Sequence, residues 1–339
     1  MLHDLTGMDP ADIPMNDAKV LSLFRSTEAL GVTPEQIRSP VGTIGLPDFG
    51  SRFTRQMLAE TKPARFSDLL QISGLSHGTG VWLGNAQELI RSGTCTISTV
   101  IGCRDNIMLD LIYQGMEAAL AFQITESVRK GKGLTPEWIA EMKKVNVPDW
   151  YIDSCQKIEY MFPRAHAAAY SISAMRAGYY KVYFPLEFYA ALFTIDGIDH
   201  FDIELCCKGY GSILGKILGI EEKGVAAAAK EKASLGVLES ALEMTARGFK
   251  FKPVDLYRSD ATKFRIDETD RRSLIPPFAA VQGISANTAI QIANAREDGE
   301  FVSVEDFRKR TKVSRTVIET LERLGCFRGM SASNQLALF

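Results

Sequence analysis

Apolar residues along this chain recur mostly at helical spacing, so the expected fold class is mainly α. Asp17 stands as a cap before Val20, Leu21, Leu23 and Phe24. Thr33-Pro34-Glu35-Gln36 is a second start signal, with a threonine cap, proline at the first position and glutamine three residues on. Residues 1–16, carrying Asp9-Pro10 and Pro14, read as a connector, and Gly42, Gly45, Pro47 and Gly50 break the pattern into a loop. Helical spacing returns over 53–58 and 66–72, and again after Arg104 with Ile107, Met108, Leu111 and Ile112. Thr135-Pro136-Glu137 opens another helix. The densest patterning lies at 151–170. Tyr151, Cys155, Ile158 and Phe162 repeat at helical spacing after Pro148, and Pro163 is expected to stop that helix. Ser154 and Lys157 share a second face, with Tyr160 further round it. A following helix begins near Ala165, with small residues that let its backbone approach a neighbour, and places His166, Tyr170 and Ser173 on one stripe.

A second domain is expected from about residue 191. Its alanine-rich stretch 225–246 has Leu235, Val237, Leu238, Leu242 and Met244 as candidate core, and β-branched and aromatic residues at 249–264 suggest short strands. The predicted organisation is a multi-helical domain over 1–190, an α-rich domain over 191–330 and a tail over 331–339.

Composition narrows this little. The 339 residues are 46% hydrophobic and 24% charged, ordinary for a globular protein with room for two cores. A formal net charge of −2 excludes a polybasic nucleic-acid binder, so any such contact must come from local patches. The six cysteines are scattered without a C-x-x-C pair, which argues against structural zinc and for a reduced setting. The acidic start lacks signal-peptide order, and no run of about 18 apolar residues exists to span a membrane. The expected location is cytoplasmic.

Several stretches carry candidate chemistry. Residues 73–80, Ser-Gly-Leu-Ser-His-Gly-Thr-Gly, read as a glycine- and hydroxyl-rich loop, either a connector or a place where backbone approaches a ligand. Arg104 at a helix start is either there for an anion or neutralised by Asp105. Lys130 and Lys132 lie in a basic, glycine-punctuated loop, either a solvated face or a contact to a DNA backbone. Asp196, Asp199, His200, Asp202 and Glu204 lack the spacing of a calcium loop and read as a solvated connector, with no metal site expected. Residues 278–296 resemble a helix-hairpin-helix, whose Gly-apolar-Gly hairpin presents backbone N–H groups to a phosphate; here Gly283-Ile284-Ser285 has serine for the second glycine, and the alternative is an ordinary turn between packed helices. A degenerate second copy at 304–324 turns at Lys312-Val313-Ser314, inside a basic patch of Arg308, Lys309, Arg310, Lys312 and Arg315.

The run Asp-Ser-Cys-x-Lys-Ile-x-Tyr-Met-Phe-Pro-x-Ala-His-Ala-Ala-Ala-Tyr at 153–170, continuing to Arg176 and Lys181, resembles the fingers of the PolC-type DNA polymerases III. Ile-Ser-Gly-Leu-Ser-His-Gly-Thr (72–79), Ile-Gly-Cys-Arg-Asp (101–105), Ser-Val-Arg-Lys-Gly-Lys-Gly-Leu-Thr-Pro-Glu (127–137) and Asn-Gln-Leu-Ala-Leu-Phe (334–339) resemble the same family. The resemblance implies a C-terminal portion of a replicative polymerase, with fingers at 1–190 and a duplex-binding domain at 191–330. It implies that Arg104 and Lys157 neutralise phosphates of an incoming deoxynucleotide, while Ser154 and Tyr160 line its sugar or base, with Phe162, His166 and Ser73 nearby. The partners implied are primer-template DNA, the sliding clamp and other replisome components. Gln335, Leu336, Leu338 and Phe339 would bind the clamp. Mg2+ is implied for the full polymerase, but the carboxylates that hold two ions about 3.5–4 Å apart belong to a palm that would lie before Met1. No catalytic residue is therefore expected here, and the chain alone is expected to be inactive. The competing reading is a non-enzymatic helix-hairpin-helix tether.

Overall fold

The computed structural model describes residues 1–333; the expected clamp-binding residues 335–339 lie outside them. Helices dominate the described residues, with one three-stranded sheet. The chain divides into two compact units, residues 10–182 and residues 1–9 with 183 onwards.

In the first unit, helix starts follow the local signals. Asp17 accepts from the Val20 N–H at 2.8 Å, Thr33 and Gln36 form a reciprocal capping box, and Thr135 caps the helix Pro136–Lys144. Phe24 and Phe49 meet edge to face at 5.2 Å in the core. The helix Arg164–Tyr183 buries Ala167, Ser171, Ala174 and Gly178 along one face. A Cβ at Gly178 would stand 3.1 Å from Val20 Cγ1, so a larger residue there would require the Val20 side chain to give by a few tenths of an ångström. Lys181 is fully buried; its Nζ donates to the carbonyls of Gly42 at 2.8 Å and Ile44 at 2.5 Å.

Two expected elements differ. The 66–72 helix continues to His77, so the glycine-rich stretch from Ser73 is helical for most of its length. Gly74 has a packing role, since a Cβ there would lie 2.3 Å from the Gly102 carbonyl oxygen. The helix expected to run to Pro163 is Asp149–Lys157; residues 158–163 leave it in non-helical conformation, so Tyr160 and Phe162 do not occupy helix faces.

The second unit begins earlier than residue 191. The helix Pro185–Leu192 buries Leu186, Phe188 and Tyr189, and the helix Leu2–Thr6 packs on it, which takes residues 1–9 into this unit. Phe193, Phe201, Phe251 and Phe264 form its aromatic core, with ring centroids 4.9–5.6 Å apart. The helices Tyr210–Lys223 and Ala229–Ala246 pack as a pair. Of the strands, only β1 (Lys250–Phe251) falls within 249–264; β2 (Arg265–Ile266) and β3 (Ser273–Ile275) follow it. β3 is central, parallel to β1 and antiparallel to β2. Buried Asp267, bonded to Lys252 and Arg258, ties this sheet to the loop that follows β1.

Candidate functional site

The helices Arg104–Tyr113 and Arg164–Tyr183 begin close together. The Arg104 N–H donates to the Phe162 carbonyl at 3.2 Å, and Asp105 Oδ2 accepts from the Arg164 N–H at 2.8 Å. Asp105 therefore caps the second helix, and the Arg104 Nε lies a looser 3.8 Å from it. Over this junction lies a partly exposed aromatic group. His77 stacks on Phe162 at 4.7 Å and lies nearly parallel to Tyr170 at 5.9 Å, and His166 meets Phe162 edge-on at 5.8 Å. Tyr170 is 41% exposed, so part of this π surface faces solvent. The imidazole is fixed from behind: Nδ1 lies 2.9 Å from the Ser73 carbonyl oxygen and Nε2 lies 3.5 Å from Asp48 Oδ1. Ser73 Oγ donates to the other Asp48 oxygen at 3.3 Å. Burial raises the Asp48 carboxyl, and His77 pulls against that rise.

Ser73 is thus a buried support for His77, because it lies on the packed face of a continuous helix, and does not line the surface. Ser154 is likewise buried, 5% exposed. Lys157 is exposed and donates to the Gly84 carbonyl at 2.9 Å. Tyr160 is 47% exposed and pairs with Thr79 through backbone bonds of 2.9 and 3.2 Å. The basic loop abuts the same segment: a Cβ at Gly131 would stand 2.6 Å from the Glu159 carbonyl oxygen. Glu126 engages Arg129 and lies 3.2 Å from Lys130 Nζ; the Arg129 hydrogen bonds hold its carboxyl down at about 2. Lys132 is exposed beside them. The structure therefore gathers Phe162, His166 and Arg104 around one junction, with Tyr160, Lys157 and the 130–132 loop along the adjoining segment. His77 and Tyr170 complete the aromatic group. His77 lay in the glycine-rich stretch and Tyr170 on the stripe with His166, but only folding stacks them.

In the second unit two turns share one local geometry. Gly283 has φ +88°, Ile284 is buried, and Ser285 caps the helix Ala286–Ala295 by accepting from the Thr288 N–H. Lys312 has φ +55°, Val313 is buried, and Ser314 caps the helix Arg315–Arg323 by accepting from the Val317 N–H. The second copy thus keeps the left-handed residue, the apolar anchor and the serine cap without the glycine. Arg308, Lys309, Lys312 and Arg315 are exposed, Arg315 being paired with Glu319 at 2.8 Å. Arg310 corrects the expected patch. Its guanidinium bonds to Asp306 and to the carbonyls of Ala295, Gly299 and Glu300, over the Phe301 ring at 4.4 Å, so it clamps the preceding loop.

Comparison with known families agrees with both units. Residues 2–146 match the bacterial DNA polymerase III alpha subunit finger domain, and residues 248–337 match a helix-hairpin-helix motif. The two matches together define the class to which the chain is similar, a polymerase finger domain joined to a helix-hairpin-helix. All 339 residues align at 58% identity with the DNA polymerase III PolC-type of Bacillus subtilis (strain 168), covering 23% of that protein. The PolC-type enzyme of Caldanaerobacter subterraneus is 56% identical over the same 339 residues, 24% of its length. Over its whole length the chain is similar to a finger and helix-hairpin-helix region of the PolC-type DNA polymerases III. It spans about a quarter of the length of the relatives it matches.

Proposed function

We propose that this chain holds the incoming deoxynucleotide and the primer-template duplex for a replicative DNA polymerase. The observation that carries this reading is the stack of His77, Phe162 and Tyr170 over two adjoining helix starts, with Arg104 at one of them. Aromatic faces suit a base, and helix N-termini with a guanidinium suit phosphates. Tyr160 and His166 border the base, and Lys157, Lys130 and Lys132 add positive charge along the adjoining segment. The paired turns at 283–285 and 312–314 grip the duplex backbone, with Arg308, Lys309, Lys312 and Arg315 adding sequence-independent phosphate contacts.

Four carboxylates are committed to other partners. Asp105 and Asp202 cap helices, Asp110 accepts from the Tyr151 hydroxyl, and Asp267 holds Lys252 and Arg258. Among the described residues no group of three or more His, Cys, Asp or Glu could hold a metal ion. In this reading Mg2+ chemistry belongs to a palm outside this chain. Gln335, Leu336, Leu338 and Phe339 bind the sliding clamp in the same reading, raising processivity by tethering, and the setting is the cytoplasmic replisome. Among the described residues no helix is long and apolar enough to cross a membrane.

Photocrosslinking tests the reading. With primer-template DNA present, an azido-substituted deoxynucleotide should label peptides within 77–170. Duplex binding with no such labelling would favour the helix-hairpin-helix tether.

A further inference from the structure

The helix Asp149–Lys157 ends where its own sequence does not stop it: Ile158 is a permissible helix residue, and the nearest proline is Pro163. The last carbonyls of any helix lack intrahelical partners, and Ser154 supplies one of them here. That carbonyl accepts from Asn85 Nδ2 at 3.2 Å, across 69 residues of chain. The same amide donates to the Gly80 carbonyl at 2.8 Å. Asn85 is 2% exposed, and its Oδ1 has no hydrogen-bond partner among the described residues, so its polar contribution is these two donated bonds. The helix end and the 80–85 turn also hold each other directly. Lys157 Nζ donates to the Gly84 carbonyl at 2.9 Å, and Gly80, at φ +69°, lies so close that a Cβ would stand 2.2 Å from the Lys157 carbonyl oxygen. Just beyond this contact, Thr79 pairs with Tyr160.

We propose that Asn85 is a positioning residue for the nucleotide site, an inference that rests on the reading above. By capping the helix from outside, it ends the helix at Lys157 and sets the direction in which Tyr160 and Phe162 leave it. Only a side chain that donates twice from one short stem serves both carbonyls. Leucine, similar in size, donates to neither, and the freed Ser154 carbonyl could then accept from Ile158 and carry the helix on. A further turn would swing Tyr160 about the helix axis and break its pairing with Thr79.

The test uses the full 339-residue chain as wild type, Asn85→Leu and Lys157→Met, with hydrogen exchange followed by azido-deoxynucleotide crosslinking beside primer-template DNA. In Asn85→Leu, exchange at the amides of Thr79, Glu159 and Tyr160 should rise about tenfold, with the helices Arg164–Tyr183 and Ala286–Ala295 unchanged. Crosslinking should fall by a similar factor at constant duplex affinity. Unchanged exchange at those three amides in folded Asn85→Leu overturns the proposal. Loosened exchange with full crosslinking also overturns the positioning role, while leaving the nucleotide reading intact. If wild type fails to crosslink, the nucleotide reading falls and this inference with it. Lys157→Met removes an exposed bond of the same clamp and is expected to fold. If Asn85→Leu unfolds, the exchange of Lys157→Met alone decides, since Lys157 itself adds charge beside the nucleotide: unchanged exchange at the three amides overturns the proposal, and their loosening supports it.

Discussion

At the scale of residues, the chain uses similar side chains for different tasks, and their partners tell them apart. Arg104 keeps a guanidinium at a helix start, with its nearest acid at 3.8 Å, whereas Arg310 is held by three backbone carbonyls and a carboxylate. Placed in a complete polymerase, Arg104→Ala should raise the KM for deoxynucleotides about 10- to 100-fold, the loss expected for one charge-assisted contact, with duplex affinity little changed. Steady-state kinetics beside a duplex-binding titration separates the two. Arg310→Ala should instead lower stability by about 2 kcal/mol, because it leaves partly buried carbonyls unpaired and removes a cation from the Phe301 ring. Chemical denaturation monitored by fluorescence reads that loss; a variant as stable as wild type would return Arg310 to the basic patch. Sequence alone could not divide these arginines, since both stand in charged, helix-forming contexts and differ only in what folding brings to them.

At the scale of elements, local signals were legible and distant ones were not. The caps at Asp17, Thr33 and Thr135 act within three residues, so their spacing was enough. The end of the helix at Lys157 depends on Asn85, and the glycine at 74 on the backbone of Gly102; neither contact leaves a local pattern. The second hairpin shows the reverse. Its missing glycine weakens the motif in sequence, yet Lys312 takes the left-handed conformation and preserves the turn. That gives a test with two opposed outcomes. Lys312→Gly should stabilise the chain by up to about 1 kcal/mol, since a side chain in that conformation carries a steric cost, partly offset by glycine's unfolded-state entropy. It should also remove one phosphate contact and reduce the log–log salt slope of duplex binding by about 0.9. An unchanged slope would make this turn a scaffold feature. Lys309→Ala should lower the slope similarly without the gain in stability.

At the scale of the whole chain, the helical class could be read from periodicity, while the boundary between the two units could not. It depends on which aromatic core receives Phe188 and Tyr189, and periodicity marks these residues as buried without saying where. The cysteines report on both units. Burial raises the thiols of all six, Cys207 to about 11 and Cys103 and Cys326 to about 12. Thiolate, the reactive form, is therefore scarce below those values in the folded chain. At pH 8 the native chain should be alkylated slowly at every cysteine, and denaturant should release six reactive thiols counted by mass spectrometry. Rapid labelling of Cys103 in the native chain would show that the Gly74–Gly102 contact opens.

The strongest test of the division of labour is primer extension by the 339 residues alone. Aromatic stacking and phosphate neutralisation can hold and orient a nucleotide, and orientation contributes substantially to rate. In-line displacement also requires metal ions that bridge the attacking and leaving oxygens, and Asp105, Asp110, Asp202 and Asp267 are engaged in caps, a hydroxyl bond and an ion pair. The purified chain should bind duplex and crosslink deoxynucleotide yet incorporate none, with Mg2+ or Mn2+ and at any nucleotide concentration. Adding a separately produced palm from a PolC-type relative should restore incorporation if the two parts reassociate, and Arg104→Ala should then reduce it. Templated extension by the chain alone, abolished by removing a carboxylate among the described residues, would overturn this assignment and locate a metal centre within the chain.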